Sequence, residues 1–486
     1  MTNVAKMLLT PALVLLLAAA CDGGDGGGFT IVVDSTADTD ARDDGLTLRE
    51  AILVATGELA PGDLAAAEAN NVHGKPGAES ADVIGFDPKV FPPAQPATIA
   101  LTATLPPLTS GQDAIDGAGA GVIIEGASQE FDCLIIESAE NTIRGLQIQS
   151  CHNGLLLKET ASANVIGGPE AGQRNVISDC SVAIEIDGTA NVVQGNFLGT
   201  DATGTASRPN AMEGIWIGPG GRDNIIGGSG PGEGNLISGN ALYGLNIGAA
   251  NATGNVVKGN LIGVDVSGEK KLQNRYGLVL SAGAQRNTIG GTEPGDANII
   301  SGTQSGGILI RGADTADNVI IGNMIGSDRT GEMELGNGTA IWLLEGAHGH
   351  VIGGTEEGQA NVIAFSGIIG VQVEGADTSG NTMRGNSIHS NAREGILSVE
   401  GGNAGLAPPE VTAANPVSGT ACPNCTVDIY SDAADEGRVY EGSTTADASG
   451  GFTFDEKTSG PFLTATATDA QGNTSAFSES RAAPAR

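Results

Sequence analysis

The sequence is poor in aromatic and basic side chains. Among 486 residues there are only 10 Phe, 4 Tyr and 2 Trp, few for an ordinary globular core, and 23 Lys+Arg stand against 57 Asp+Glu for a formal net charge of −34. A field of that sign repels phosphate backbones, so nucleic acid is not expected as a partner. It attracts divalent cations and keeps the protein soluble. Long hydrophobic runs are also missing: the apolar stretch from Met7 to Ala20 is too short to cross a bilayer as a mature helix. Glycine, in contrast, is abundant at 76 residues. Such a chain is either disordered or built as a regular stack of small aliphatic residues with many tight turns.

The first 28 residues stand apart from fold reasoning. Lys6 precedes the apolar run, and Ala18-Ala19-Ala20 precede Cys21 and a Gly/Asp stretch, Asp22 to Gly28. The segment resembles a bacterial lipoprotein signal, residues 1–20, with Ala18 where such signals usually carry Leu. The resemblance implies lipidation of Cys21 and a flexible tether over 21–28. The alternative is a plain signal peptide cut near Ala20.

Internal repetition decides the architecture. Asn-Val-Ile-Gly-Gly at 164–168 returns as Asn-Ile-Ile-Gly-Gly at 224–228, Asn-Thr-Ile-Gly-Gly at 287–291 and His-Val-Ile-Gly-Gly at 350–354, in steps of 60 to 63. Each copy has a glycine eight residues on and an asparagine eleven on (Asn175, Asn235, Asn298, Asn361). A Gly-Asn motif interleaves at Gly195, Gly259 and Gly322, and decays at Gly385. Within each unit, short strands start at Gly154, Ala183, Gly214, Gly244, Gly277, Gly307, Ala340, Gly370 and Gly395. Each is followed by an apolar residue and, two places later, by another, with Ser398 as the exception. That alternation buries both positions on one strand face. Repeated about every 30 residues, it predicts an all-β, right-handed parallel β-helix of about eleven coils, on the order of 50 Å long. Asn164, Asn191, Asn224, Asn255, Asn287, Asn318 and Asn381 recur once per coil, with His350 filling one gap. They read as a structural ladder of stacked amides.

Exposed strand edges need caps. Phe29 to Val33 reads as a strand, and Thr47-Leu48-Arg49-Glu50 matches a capping box ahead of a short apolar helix suited to cover the open end. Leu46-Thr47-Leu48-Arg49-Glu50-Ala51 resembles the Cys-Ser-Leu-Arg-Glu-Ala motif at the start of bacterial β-helix surface proteins, with Leu46 in place of the Cys. Asp82-Val83-Ile84-Gly85-Phe86 and Ala114-Ile115-Asp116-Gly117 resemble the lead-in of that family. The resemblance covers roughly residues 29–403; it implies a fold and says almost nothing of activity. The expected layout is a cap and first coils over 29–120, repeats over 121–403, and a C-terminal sandwich over 407–481. The last of these, with its short strands after Pro408-Pro409 and the run Asp469 to Ser475, looks like a bacterial immunoglobulin-like domain.

Cys151 and Cys180 align on neighbouring coils and fit either a disulfide or two stacked thiols. Cys422-Pro423-Asn424-Cys425 predicts a local disulfide, and Cys133 reads as a buried small apolar residue. Of the outward strand positions, only Lys158, Glu185 and Asp187 gather catalytic residue types, with Trp216 one coil further. A carboxylate pair beside a lysine and an aromatic platform suits acid–base cleavage of a glycan, but the same group also reads as a solvated ion-pair cluster. Trp216 and Trp342 are the candidate binding aromatics. The remaining outward positions are apolar enough to expect loops packed over them.

Asp201, Asp265 and Asp328 each open an Asp-x-x-Gly turn. Calcium is the alternative reading, but one carboxylate per turn is explained by turn geometry alone, so no cofactor is expected. His350 replaces a ladder asparagine, which accounts for it without catalysis. Two functions follow. One is a non-catalytic surface scaffold or adhesin, exported and held at a bacterial membrane by its lipid, presenting itself to an extracellular glycan or surface protein. The other, resting on fold analogy and the Lys158 group, is a polysaccharide lyase or glycoside hydrolase.

Overall fold

Columns of identical aliphatic residues can be buried continuously only if successive turns of chain stack in register. The computed structural model, which describes residues 29–74, 82–127 and 129–483, shows this arrangement. Cys21 and the expected signal and tether lie outside the described residues. Three long sheets of thirteen, eleven and ten strands run along the stack, and from Ala114–Asp116 onward neighbours in a sheet are separated in the chain by one strand of each other sheet. Pairing is parallel throughout them, except that Val72–His73 adds to Thr30–Val33 antiparallel at one end. The chain therefore winds through three faces as a parallel β-helix.

In the first sheet Ile166, Val193, Ile226, Val257, Ile289, Ile320, Ile352 and Met383 form one buried column in register. In the third sheet Leu155, Ile184, Ile215, Leu245, Leu278, Ile308, Ile341, Val371 and Ile396 form another. Burial of each such side chain stabilises the fold by about 1.5–3 kcal/mol.

Polar groups at the corners are satisfied by ladders. From Asn164 to Asn318, each side-chain Nδ2 donates to the next amide's Oδ1 at 2.9–3.1 Å. The same Oδ1 accepts the backbone N–H one coil back, as Asn224 Oδ1 does from Asn191 at 2.8 Å. His350 continues the column by accepting the Asn318 N–H on Nδ1 at 3.2 Å, and Asn381 follows it. A second ladder, not anticipated as one, runs through Asn175, Asn196, Asn235, Asn260, Asn298, Asn323, Asn361 and Asn386 at 2.9–3.0 Å. Its members were visible in the repeats as the asparagine after Gly-Gly and the one in Gly-Asn. The Gly of Ile-Gly-Gly is required there: Gly167 has φ +88°, and a Cβ would lie 2.1 Å from the Gln194 carbonyl.

A third column is mixed. Asn210 and Asn240 donate onward to Asn240 and Asn274, and Cys180 stands at the N-terminal side of Asn210, whose Oδ1 accepts the Cys180 N–H. Cys151 stacks on Cys180, its N–H 3.5 Å from the Cys180 sulfur. The disulfide nevertheless joins Cys151 to Cys133, and Cys180 is a buried free thiol. The expected Cys151–Cys180 bond is therefore corrected, as is the unbonded role given to Cys133. Cys133, just before the register partner of Leu155, takes the Cys151 sulfur and leaves Cys180 unpaired. Cys180 instead fills an asparagine place, accepting a backbone N–H on one side and directing its thiol to the Ser178 carbonyl. Burial pushes that thiol's pKa up to about 12.

At the N-terminal end, helix Leu48–Ala55 carries the expected capping box between Thr47 and Glu50. Leu46, Leu48, Ala51 and Ile52 join the main core. Arg49 clamps Asp38 and donates to the carbonyls of Ala103 and Thr104, while Arg42 pairs with the buried Glu50. At the other end, two antiparallel sheets of three and four strands share a small core that includes Val417, Val427, Ile429, Phe452, Phe454 and Leu463. Cys422 and Cys425 are joined there. This unit sits on the last coil. Arg384 holds Asp428 with two bonds of 2.6 and 2.7 Å, the Tyr430 hydroxyl accepts the Gly385 N–H, and Ile388 and Gly437 exchange backbone bonds. The turn through Asn473 and Thr474 caps the first ladder, where Asn403 Nδ2 donates to the Thr474 carbonyl.

Candidate functional site

The outward face of the third sheet holds the residues singled out from sequence. Its central row runs Leu156, Glu185, Trp216, Asn246, Val279, Leu309, Trp342, Gln372, Leu397 in register. Alternation within each strand sends these side chains away from the aliphatic column. Parts of the row are shielded: Leu156, Val279 and Leu309 are at most 5% exposed. The clearest loop cover lies on the second sheet instead. There the hairpins that follow alternate strands bury Val264 and Leu335 against Ile299.

Around Trp216 the geometry is more specific. Glu185 and Trp216 are register partners on neighbouring strands, and Asp187 follows two residues after Glu185 on the same face. Burial raises the Glu185 carboxyl above its usual range and the neighbouring Asp187 adds to the rise, against a 2.7 Å bond from Asn153 Nδ2. Asp187 is raised by burial too, with the Lys158 charge opposing it. Gly218 makes room for this carboxylate: a Cβ there would lie 2.4 Å from Asp187 Oδ1 and 3.6 Å from the Trp216 ring. Lys158, Glu185, Asp187 and Trp216 thus form one neighbourhood, whereas Trp342 lies four coils away.

A second outward row was missed from sequence. Asn153, Val182, Glu213, Tyr243 and Tyr276 are in register just before the inward glycine or alanine of each strand. The signal was available, since the strand starts at Gly154, Gly214, Gly244 and Gly277 fix the preceding residue. Strict alternation does not extend back past them, because the glycine and the apolar residue after it both face inward. Gly154 and Gly214 both face core isoleucines, so the residues before them point out. Glu213 is 5% exposed; burial raises its carboxyl against a 3.3 Å bond from Asn246 Nδ2. Tyr243 and Tyr276 pack with ring centroids 5.9 Å apart, and the Arg275 guanidinium lies 5.9 Å from the Tyr276 ring. Within this cluster Asn153 Oδ1, Asp187 Oδ1 and Asn246 Oδ1 are buried without a protein partner.

Trp342 is differently placed. Its indole N–H donates to Glu374 at 3.0 Å, and Gln372 donates to the same oxygen at 3.0 Å. The calcium candidates are occupied by their own turns. Burial would raise Asp201, but Thr203 and the N–H groups of Ala206 and Thr205 outweigh it and hold the carboxyl low. Asp328 is held the same way, burial again opposed by the Met333 and Glu332 N–H groups and by Thr330, and Asp265 accepts from Ser267 and Lys270. Among the described residues no group of three or more His, Cys, Asp or Glu side chains is arranged to hold a metal. No helix among them is long and apolar enough to cross a membrane.

No known family's sequence profile matches the chain, and no curated protein matches it. Among solved structures it is similar to the Dettilon tailspike protein, at 15% identity and a TM-score of 0.36, over 83% of this chain and 73% of that one. It is also similar to the A-module of the mannuronan C-5 epimerase AlgE4 of Azotobacter vinelandii, at 15% identity and a TM-score of 0.33, over 67% of this chain and 84% of that one. A third similar structure is the pectate lyase Pel9A, at 12% identity and a TM-score of 0.31, over 76% and 81% of the two chains.

Proposed function

We propose that this protein is a non-catalytic surface scaffold, its β-helix right-handed as crossover sterics favour, binding an extracellular glycan on the face around Trp216. The observation that carries the reading is a half-buried indole set between two carboxylate–amide pairs, Asn153 with Glu185 and Asn246 with Glu213. A flat apolar ring beside fixed hydrogen-bonding groups is what a sugar, with one apolar face and a polar rim, requires. Lipidation of Cys21 would hold the rod at a bacterial membrane. The N-terminal helix and an immunoglobulin-like C-terminal unit would close its two ends.

One observation favours a catalytic alternative. Glu185 and Glu213 are carboxyls raised by burial, and Asp187 Oδ1 lacks a partner, as expected of an acid or base in a lyase or glycoside hydrolase. Incubation with neutral, amine-bearing and acidic polysaccharides, with and without calcium, separates the two readings. Binding without new reducing ends or unsaturated products supports the scaffold. Cleavage lost on Glu185→Gln or Asp187→Asn would replace it.

A further inference from the structure

The buried hydrogen-bonding atoms left without a partner on the Trp216 face are all acceptors. Asn153 and Asn246 are 2% and 9% exposed, and each commits Nδ2 to a carboxylate, Glu185 and Glu213 respectively. That fixes their orientation, because a flipped amide would set its oxygen against a carboxylate oxygen. The two amide oxygens are therefore aimed elsewhere and have no partner, as is Asp187 Oδ1. Among the described residues no buried donor is left unpartnered beside them, and the Lys158 charge already acts on Asp187. The remaining local charges are mostly negative: Asp132 and Glu159 bear on Glu185 and Asp187, with His152 the one other opposing group. Among the described residues no cation bears on Glu213.

Resting on the glycan reading above, we infer that this face selects glycans carrying free amino groups. A protonated amine offers three donors and a positive charge to a site with spare acceptors and excess carboxylate. An N-acetylated sugar offers one N–H and brings a further acceptor. A uronate, sulfated or phosphorylated sugar brings negative charge and acceptors only, and is repelled. The solved structures similar in fold include proteins named for mannuronan and pectate, so this selectivity runs opposite to the charge of those polymers.

The test is a calorimetric titration of the purified protein with a glucosamine oligosaccharide, its fully N-acetylated counterpart and an oligogalacturonate of equal length, at physiological ionic strength. The expected order is amine tightest by about tenfold or more over the acetylated probe, with no binding of the galacturonate. Glu185→Gln and Glu213→Gln should shrink the preference for the amine over the acetylated probe about tenfold. Trp216→Ala should weaken both. Glu374→Gln, in the other tryptophan patch, should change neither, and circular dichroism confirms that each variant is folded.

Equal binding of amine and acetylated probes overturns the selectivity while the glycan reading stands. A preference that survives Glu185→Gln combined with Glu213→Gln assigns it to the general charge of −34 rather than to this face, and also overturns the inference. Absence of binding by all three probes overturns the inference and counts against the glycan reading as well.

Discussion

Trp216 and Trp342 occupy the same row of the same sheet, two repeat units apart, yet they sit in opposite surroundings. Trp342 donates to a carboxylate that Gln372 also contacts, so its polar neighbours are closed upon one another. Around Trp216 the carboxylates are raised by burial, and three acceptors have no protein partner. In a repeating fold the position of a residue is therefore a poor guide to its role. The destination of each neighbour's hydrogen bonds is the better one. The coils beneath differ too: the Trp216 coil continues into Asn224, and the Trp342 coil into His350.

That difference should be largest in the ladder. Asn224→Ala removes the acceptor of two bonds from Asn191 and the donor of bonds to Asn255 and Gly188. Stranding these buried groups should cost about 4 kcal/mol in denaturant unfolding. His350→Ala should cost less, since His350 accepts a single bond from Asn318 and its Nε2 has no partner. Equal losses would erase the distinction between the coils.

Acid comes next. Burial, with the His348 charge adding, lowers His350 to about 4 from an ordinary value of 6.5. The unfolded chain then binds more protons than the native one between these values. Stability is lost as pH falls from about 6.5 to about 4, by up to about 3 kcal/mol. Glu436, raised by burial to about 7 where it meets Asn391, acts in the opposite sense, losing stability as pH rises from its ordinary 4.5. His350→Asn should remove only the first slope from a stability–pH profile. A variant profile identical to the parent's would refute the assignment.

The aliphatic columns and the first ladder were legible because a coil repeats the same physical demand: a buried face every second residue, and an amide wherever a corner strands backbone groups. Leu46 to Ala51 was legible for the same reason, since capping and burial are local. The second ladder was visible as recurring asparagines but not as a ladder, because its members alternate between two motifs. The row of Asn153, Glu213 and Tyr243 was hidden because two consecutive residues, the glycine and the one after it, face inward, and simple alternation fails there. The Cys133–Cys151 bond was out of reach because the coil before Cys133 lacks the repeat that would align it.

A smaller effect separates the indoles themselves. Trp342→Phe removes the N–H that meets Glu374 and should cost about 1.5 kcal/mol in thermal or denaturant unfolding. Trp216→Phe, which removes no counterpart of the Trp342–Glu374 bond, should leave stability nearly unchanged. A reversed order would mean that Trp342, not Trp216, is the uncommitted ring.

The most direct test of the whole reading is a binding titration of the parent, Trp216→Ala and Trp342→Ala proteins with one glycan oligosaccharide that the parent binds. The account predicts at least about a tenfold loss of affinity for Trp216→Ala and parental affinity for Trp342→Ala. Parental affinity in Trp216→Ala, or a loss confined to Trp342→Ala, would contradict it.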